Sequence, residues 1–202
     1  MRDTAAWISL VEPNRVGRQR LETSEALFRQ DDPATAVYQV VAGRVRLVRH
    51  LEDGSSVVLH VARSSETFAE AALFADHYHC DAVAEATSEV AMIPKAGLLA
   101  VLETDPQACL GFARELASHV RDLRARLELR NIRSAPKRIV AWLRLQAAGD
   151  PPTIRLDRPW TQIAAEIGLT HEAIYRALAA LEREGRIMRH REEVVLAHPN
   201  TK

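Results

Sequence analysis

The sequence predicts an α+β protein: an antiparallel β-roll in front, a long amphipathic helix behind it, and a C-terminal winged helix-turn-helix. Three observations predict this. Apolar residues alternate with period two through the first third. From Ala113 to Leu127 they recur three and four residues apart. Two short helical patterns then meet at Gly168, with a hairpin pattern after them. The 202 residues are enough for two small domains.

In the front third, Val37, Gln39 and Val41 face one way and Tyr38 and Val40 the other. Gly43 punctuates the run, after which Val45 and Leu47 alternate with Arg44, Arg46 and Arg49. Glu52-Asp53-Gly54-Ser55 is a turn signal, because Gly accepts positive φ at no steric cost. Val57, Leu59 and Val61 begin the next strand. Several short strands with polar turns indicate a roll or barrel.

Pro94 to Leu102 reads as a short helix. Asp105-Pro106 then opens a long one, with Asp as N-cap and Pro at the first helical position. Ala113, Leu116, Val120, Leu123 and Leu127 form a heptad seam flanked by charge, so the helix is expected to dimerise there. An intramolecular packing face is the alternative. Asn131 to Pro136 breaks the pattern and Lys137 to Ala148 is again amphipathic. The expected domains are therefore residues 1–104 (sensor), 105–133 (dimerisation helix) and 134–202 (DNA-binding).

The strongest signal runs from Trp160 to Ile187. Thr161 is expected to cap a helix bearing Ile163, Ala164 and Ile167, and Gly168 to make the turn. Thr170 caps a second helix, His171 to Glu184, with Ile174, Leu178 and Leu181 inward. Met188 to Leu196 reads as a wing around Arg189, Arg191 and Glu193. With the apolar positions inward, His171, Glu172, Tyr175 and Arg176 point outward. Arg can bond guanine O6 and N7 together, and Glu can accept from cytosine N4. With Thr161 and Thr170 at the helix starts, these are the candidate DNA contacts.

Charge supports that division of labour. Asn131 to Lys202 carries 12 Lys/Arg against 8 Asp/Glu, whereas Met1 to Arg130 carries 15 against 19. The only cysteines are Cys80 and Cys109, too few for a disulfide framework. Met1 to Leu10 lacks the pattern of a signal peptide, and no apolar run approaches the roughly 20 residues that cross a bilayer. The expectation is a cytoplasmic protein without a membrane partner.

These residues resemble the CRP/FNR family of bacterial transcription regulators. The resemblance is carried by Val45-Arg46-Leu47, by Phe68-Ala69-Glu70-Ala71-Ala72-Leu73-Phe74, by the Asp105-Pro106 helix, and most specifically by Thr161-Gln162-Ile163-Ala164 and Gly168 through Arg176. It implies a cyclic-nucleotide-binding-type β-roll, a homodimer, a palindromic double-stranded DNA operator and RNA polymerase as a partner. It also implies that Glu172 and Arg176 read bases. His171 stands where cyclic-AMP-responding members often carry Arg, so the half-site is expected to differ.

The departures concern the effector pocket, which the resemblance places at Glu70, Cys80, Asp81, Leu123 and Arg124. Ala69-Glu70 replaces Gly-Glu, and Cys80-Asp81 stand where the family's Arg-Ser pairs the cyclic phosphate. Leu123-Arg124 fall at the adenine-contacting Thr-Ser positions. A carboxylate facing a phosphate is repulsive, which disfavours cyclic AMP. No cysteine precedes Cys80, which disfavours an iron–sulfur cluster with its four thiolates.

His77-Tyr78-His79-Cys80-Asp81 concentrates ligand-type side chains, so a transition metal or a haem stays open as cofactor. The candidate metal ligands are Glu70, His79, Cys80 and His119. On a regular strand His77 and His79 share a face that Cys80 does not, so all three cannot reach one ion without a bulge. Redox sensing through Cys80, an altered but cyclic-nucleotide-responsive pocket, and an effector-independent regulator are the other readings. A cupin-like metalloenzyme is the non-regulatory alternative. It would need His/Glu motifs on two strands, and the histidines do not repeat that way, so no catalytic residue is expected.

Overall fold

The computed structural model describes residues 16–197. The chain divides between Val120 and Arg121 into two compact units.

Among the described residues, the front unit contains eight strands: β1 (Gly17–Leu21), β2 (Ala26–Phe28), β3 (Ala36–Ala42), β4 (Arg44–His50), β5 (Ser56–Arg63), β6 (Thr67–Phe68), β7 (Asp81–Ala84) and β8 (Ser88–Pro94). They form two four-stranded sheets, ordered β1-β8-β3-β6 and β2-β7-β4-β5, with every pairing antiparallel. This is the expected roll. Tyr38, Val40, Val45, Leu47, Ala82 and Ala84 bury into one core, and Val37 buries into a second with Leu73, Ile93, Leu98 and Phe112. Strand β3 is thus covered on both faces, which is why it reads Ala-Val-Tyr-Gln-Val-Val-Ala. Burying each of Val37, Ile93 and Leu98 contributes about 1.5–3 kcal/mol.

The β3–β4 turn needs its glycine. Gly43 has φ +86°, and a Cβ there would stand 2.6 Å from the Thr87 carbonyl oxygen. After β6, Ala69 adopts the left-handed region (φ 65°) and opens a short 3-10 helix, Glu70–Phe74.

Helix α1 spans Lys95–Thr104 and α2 spans Pro106–Asn131. Asp105 caps α2 as expected, its Oδ1 accepting from the amides of Gln107 (2.8 Å) and Ala108 (3.2 Å). Ala108, Phe112 and Glu115 are the buried face of its first half. Leu129, near its end, joins the core of the second unit. The heptad seam lies on a different face and is exposed: Ala113, Leu116 (36%), Val120 (44%), Leu123 (54%) and Leu127 (62%). The seam is therefore not an intramolecular packing face in the single chain.

The second unit comprises α3 (Ala135–Gln146), β9 (Thr153–Arg155), α4 (Trp160–Ile167), α5 (His171–Arg183), β10 (Ile187–Arg189) and β11 (Glu193–Leu196). Helix α3 starts two residues before Lys137. Ser134 caps it, and Pro136 sits in the first turn, where its missing N–H loses no bond. Strands β10 and β11 are the expected wing, and β9 extends it into a three-stranded sheet, β10-β11-β9, which the sequence pattern did not reveal. Ile139, Leu143, Ile163, Ile174, Leu178 and Leu181 are its fully buried centre, beside the Trp142–Trp160 edge contact at 6.3 Å. Among the described residues, no helix is long and apolar enough to cross a membrane.

Candidate nucleic-acid interface and effector pocket

Helices α4 and α5 form the helix-turn-helix. Gly168 ends α4 at φ 69°, ψ 43°, the left-handed conformation that lets the chain reverse. Thr170 caps α5, its side chain accepting from the Ala173 amide at 3.2 Å. Ile174, Ala177, Leu178 and Leu181 are buried, so His171, Glu172, Tyr175 and Arg176 stand in solvent. The His171 and Tyr175 rings lie 4.8 Å apart and form one edge of that surface. Among the described residues, Glu172 and Arg176 hold no ion pair or hydrogen bond through their side chains, which leaves both heads available to base edges.

Thr161 does not cap α4. Pro159 occupies the cap position, Trp160 is the first helical residue, and Thr161 is exposed one residue further in. The physical reason is Trp160. It is buried beside Trp142, and Pro159, whose φ is preset near the helical value, delivers the chain into the helix two residues early. Thr161 keeps an exposed place in the first turn, where it can still face a phosphate.

Two side chains that the sequence did not single out hold this unit together. Arg138 donates Nε (2.9 Å) and Nη2 (2.7 Å) to the Ile132 carbonyl, Nη2 to that of Arg130 (3.0 Å), and Nη1 to those of Ile167 (3.2 Å) and Gly168 (2.8 Å). One guanidinium thus satisfies carbonyls at the C-terminal ends of both α2 and α4. Glu182 on α5 binds Arg189 of the wing at 2.5 Å, and that bond holds the Glu182 carboxyl below its usual range. Arg189 is thereby committed to holding the wing, while Arg191 stays exposed.

In the front unit the His77–Asp81 segment runs up to the start of β7, and burial splits it. Tyr78 is buried, its hydroxyl donating to the Ala36 carbonyl (3.0 Å) and accepting from the Ala36 amide (3.1 Å). Cys80 is buried with it, and His77 and His79 are turned out to solvent. Burial, reinforced by the Asp81 carboxylate, pushes the Cys80 thiol up to about 11. Without a metal, Cys80 at neutral pH is a protonated thiol in the core. Asp81 accepts from the Gln30 amide at 2.8 Å and faces Arg29 (3.5 Å) and His50 (3.4 Å).

The four candidate metal ligands are therefore not one cluster. Glu70 and His119 do meet, Oε1 to Nδ1 at 3.2 Å, but the third member is Glu115, not His79 or Cys80. The ligand atoms of Glu70, Glu115 and His119 lie within 4.8 Å of one another. Leu123 and Arg124 are exposed on the part of α2 that belongs to the second unit.

A β-roll of this kind in one chain with a helix-turn-helix and wing defines a DNA-binding transcription regulator. Comparison with known proteins agrees. The cyclic nucleotide-binding domain model matches residues 18–105, and the Crp-like helix-turn-helix domain model matches residues 137–200. The nitrogen fixation regulation protein FixK of Bradyrhizobium diazoefficiens is 30% identical over 188 residues, which cover 88% of this chain and 77% of that protein. The cyclic AMP receptor protein of Thermus thermophilus is 28% identical, with 83% and 78% covered. The structure of FixK2 from Bradyrhizobium japonicum superposes with a TM-score of 0.76 at 23% identity, covering 91% of this chain and 93% of that one, a likeness of fold. The chain belongs to the CRP/FNR family of transcription regulators. It is a regulator, so the cupin-like enzyme reading falls.

Proposed function

We infer that the protein acts in the cytoplasm as a homodimer on a palindromic DNA operator, and that its β-roll answers to a signal other than a cyclic nucleotide. RNA polymerase is the partner this reading entails at a promoter. The observation that carries the DNA part is the outward face of α5, where His171, Glu172, Tyr175 and Arg176 are exposed together over a fully buried Ile174 and Leu178. The exposed seam on α2 supplies the apolar face that a second copy would cover, and a two-fold axis along it would pair two recognition helices with two half-sites.

Arg176→Ala should weaken binding to a selected operator by about 1–3 kcal/mol and relax preference at one base position. Glu172→Ala should change preference more than affinity. Fluorescence anisotropy on the operator and on single-base variants measures both. Parent-like affinity and preference in both variants would remove α5 from the reading role.

The residues at the family's cyclic-phosphate position do not fit a cyclic nucleotide. Cys80 offers an uncharged buried thiol, and Asp81 places a carboxylate there that already binds the Gln30 amide. Neither supplies the cation that a phosphodiester needs. Calorimetry with cyclic AMP and cyclic GMP should give no heat of binding at micromolar concentration. A micromolar or tighter constant for either nucleotide would refute this part of the reading.

A further inference from the structure

We propose that Glu70, Glu115 and His119 form a site for a first-row divalent metal ion, with Thr67 orienting the two carboxylates. Glu70 begins the 3-10 helix after β6, directed there by the left-handed Ala69. Glu115 and His119 come from α2, four residues apart and so on one helix face. All three fall inside the front unit.

The site is built and largely dry. Thr67 is fully buried, Glu115 is 4% exposed, and the Glu70 side chain is 12% exposed. Only His119, at 25%, opens to solvent. Thr67 Oγ1 lies 2.7 Å from Glu70 Oε1 and is also hydrogen-bonded to Glu115 Oε1. A hydroxyl has one proton, so Thr67 can donate to one of these carboxylates at a time. Two carboxylates brought against one hydroxyl repel each other, and a cation between them converts that repulsion into attraction.

The donor set decides the kind of ion. One imidazole and two carboxylates, with no thiolate, suit Mn(II), Fe(II), Co(II), Ni(II) or Zn(II) better than a soft ion such as Cu(I), and the imidazole distinguishes them from Mg(II). Donors around a tetrahedral Zn(II) stand roughly 3.4 Å apart. The Glu70–His119 pair is at 3.2 Å and all three ligand atoms lie within 4.8 Å of one another, so a small contraction would close the set. Coordination through His119 Nδ1 requires the neutral tautomer that carries its proton on Nε2.

Such an ion would tie the β-roll to α2 one residue before Val120 of the exposed seam. Metal would then change operator affinity by favouring one setting of that helix over another. This coupling rests on the dimeric, DNA-binding reading above, whereas the site itself does not.

The test uses the full chain after chelator treatment, titrated by calorimetry with Zn(II) and Mn(II), and with Mg(II) as control. One Zn(II) or Mn(II) per chain is expected, with Mg(II) at least tenfold weaker. His119→Ala and Glu70→Gln should each weaken binding by about 100-fold, and the near-isosteric Thr67→Val, which removes only the orienting hydroxyl, by about 10–100-fold. Circular dichroism identifies any variant that fails to fold, and Glu70→Gln, which keeps the side chain's shape, serves if His119→Ala does. A His79→Ala, Cys80→Ser double variant should bind as the parent does. Equal affinity in parent, Glu70→Gln and His119→Ala, or no binding by the parent, overturns the site. Operator affinity that is equal with and without metal in the parent overturns the coupling. Failure of the parent to bind any operator would count against the DNA reading and is separate from the calorimetric result.

Discussion

Val120→Glu should convert the protein from dimer to monomer at micromolar concentration and reduce operator affinity by about a thousandfold or more, toward non-specific binding. Val120 is 44% exposed in the single chain and lies mid-seam, between Leu116 and Leu123. A glutamate there costs the isolated chain little. In the dimer it would bring two carboxylates into an apolar interface, and burying each without a partner costs several kcal/mol. A half-site occupied alone keeps only part of the contacts. Size-exclusion chromatography with light scattering reads the mass, anisotropy reads the affinity, and circular dichroism should show an unchanged fold. A Val120→Glu protein that remains dimeric would remove the seam from the interface.

Arg138→Ala should destabilise the DNA-binding unit by about 2–4 kcal/mol. Its five hydrogen bonds end on four carbonyls, those of Arg130, Ile132, Ile167 and Gly168. Singly, such charge-assisted bonds contribute about 1.5–3 kcal/mol, but they share one guanidinium and part of the site is wet, so they do not add. Lys at this position should not restore the loss, because an ammonium cannot span carbonyls of two helices with a planar fork. Trp142 and Trp160 lie in this unit's core, so thermal unfolding followed by fluorescence in a Trp7→Phe background reports on it directly. A change below about 0.5 kcal/mol would mean that water replaces the guanidinium at those carbonyls.

The helix-turn-helix was legible in the sequence because each of its signals acts over a few residues. Gly168 permits one left-handed residue, Thr170 bonds an amide three residues on, and Ile174 and Leu178 are one helical turn apart. The same locality made the Asp105 cap and the strand alternation from Val37 to Leu47 readable. It also misled at Thr161, where a good capping residue stood near a helix start that the burial of Trp160 had already set two residues earlier than that cap implies.

The metal-type cluster shows where local reading ends. Strand alternation would set His79 and Cys80 on opposite faces, but both precede β7, and Cys80 and Asp81 are buried side by side. Tyr78, anchored at Ala36, decides that Cys80 goes in and His79 out. Glu115 sits on the polar flank of a heptad seam in the sequence. The available signal was its four-residue spacing from His119, on the face that also carries Ala108 and Phe112. Arg138 likewise reads as the exposed side of an amphipathic helix until α2 and α4 both end beside it.

The sequence by itself determined the order of elements, the recognition helix and its outward residues, and the apolar seam of α2. Each is a matter of period, cap or residue type within a few positions of the chain. Only the tertiary structure decided that the seam is left exposed, that Cys80 is a core thiol, and that Glu70 meets Glu115 and His119. The last of these depends on the packing of α2 against residues 48 and 49 positions earlier, at and after β6, and the burial of Cys80 goes with that of Tyr78, anchored at Ala36. Such contacts are set by burial of whole faces, and single-residue patterns do not encode them.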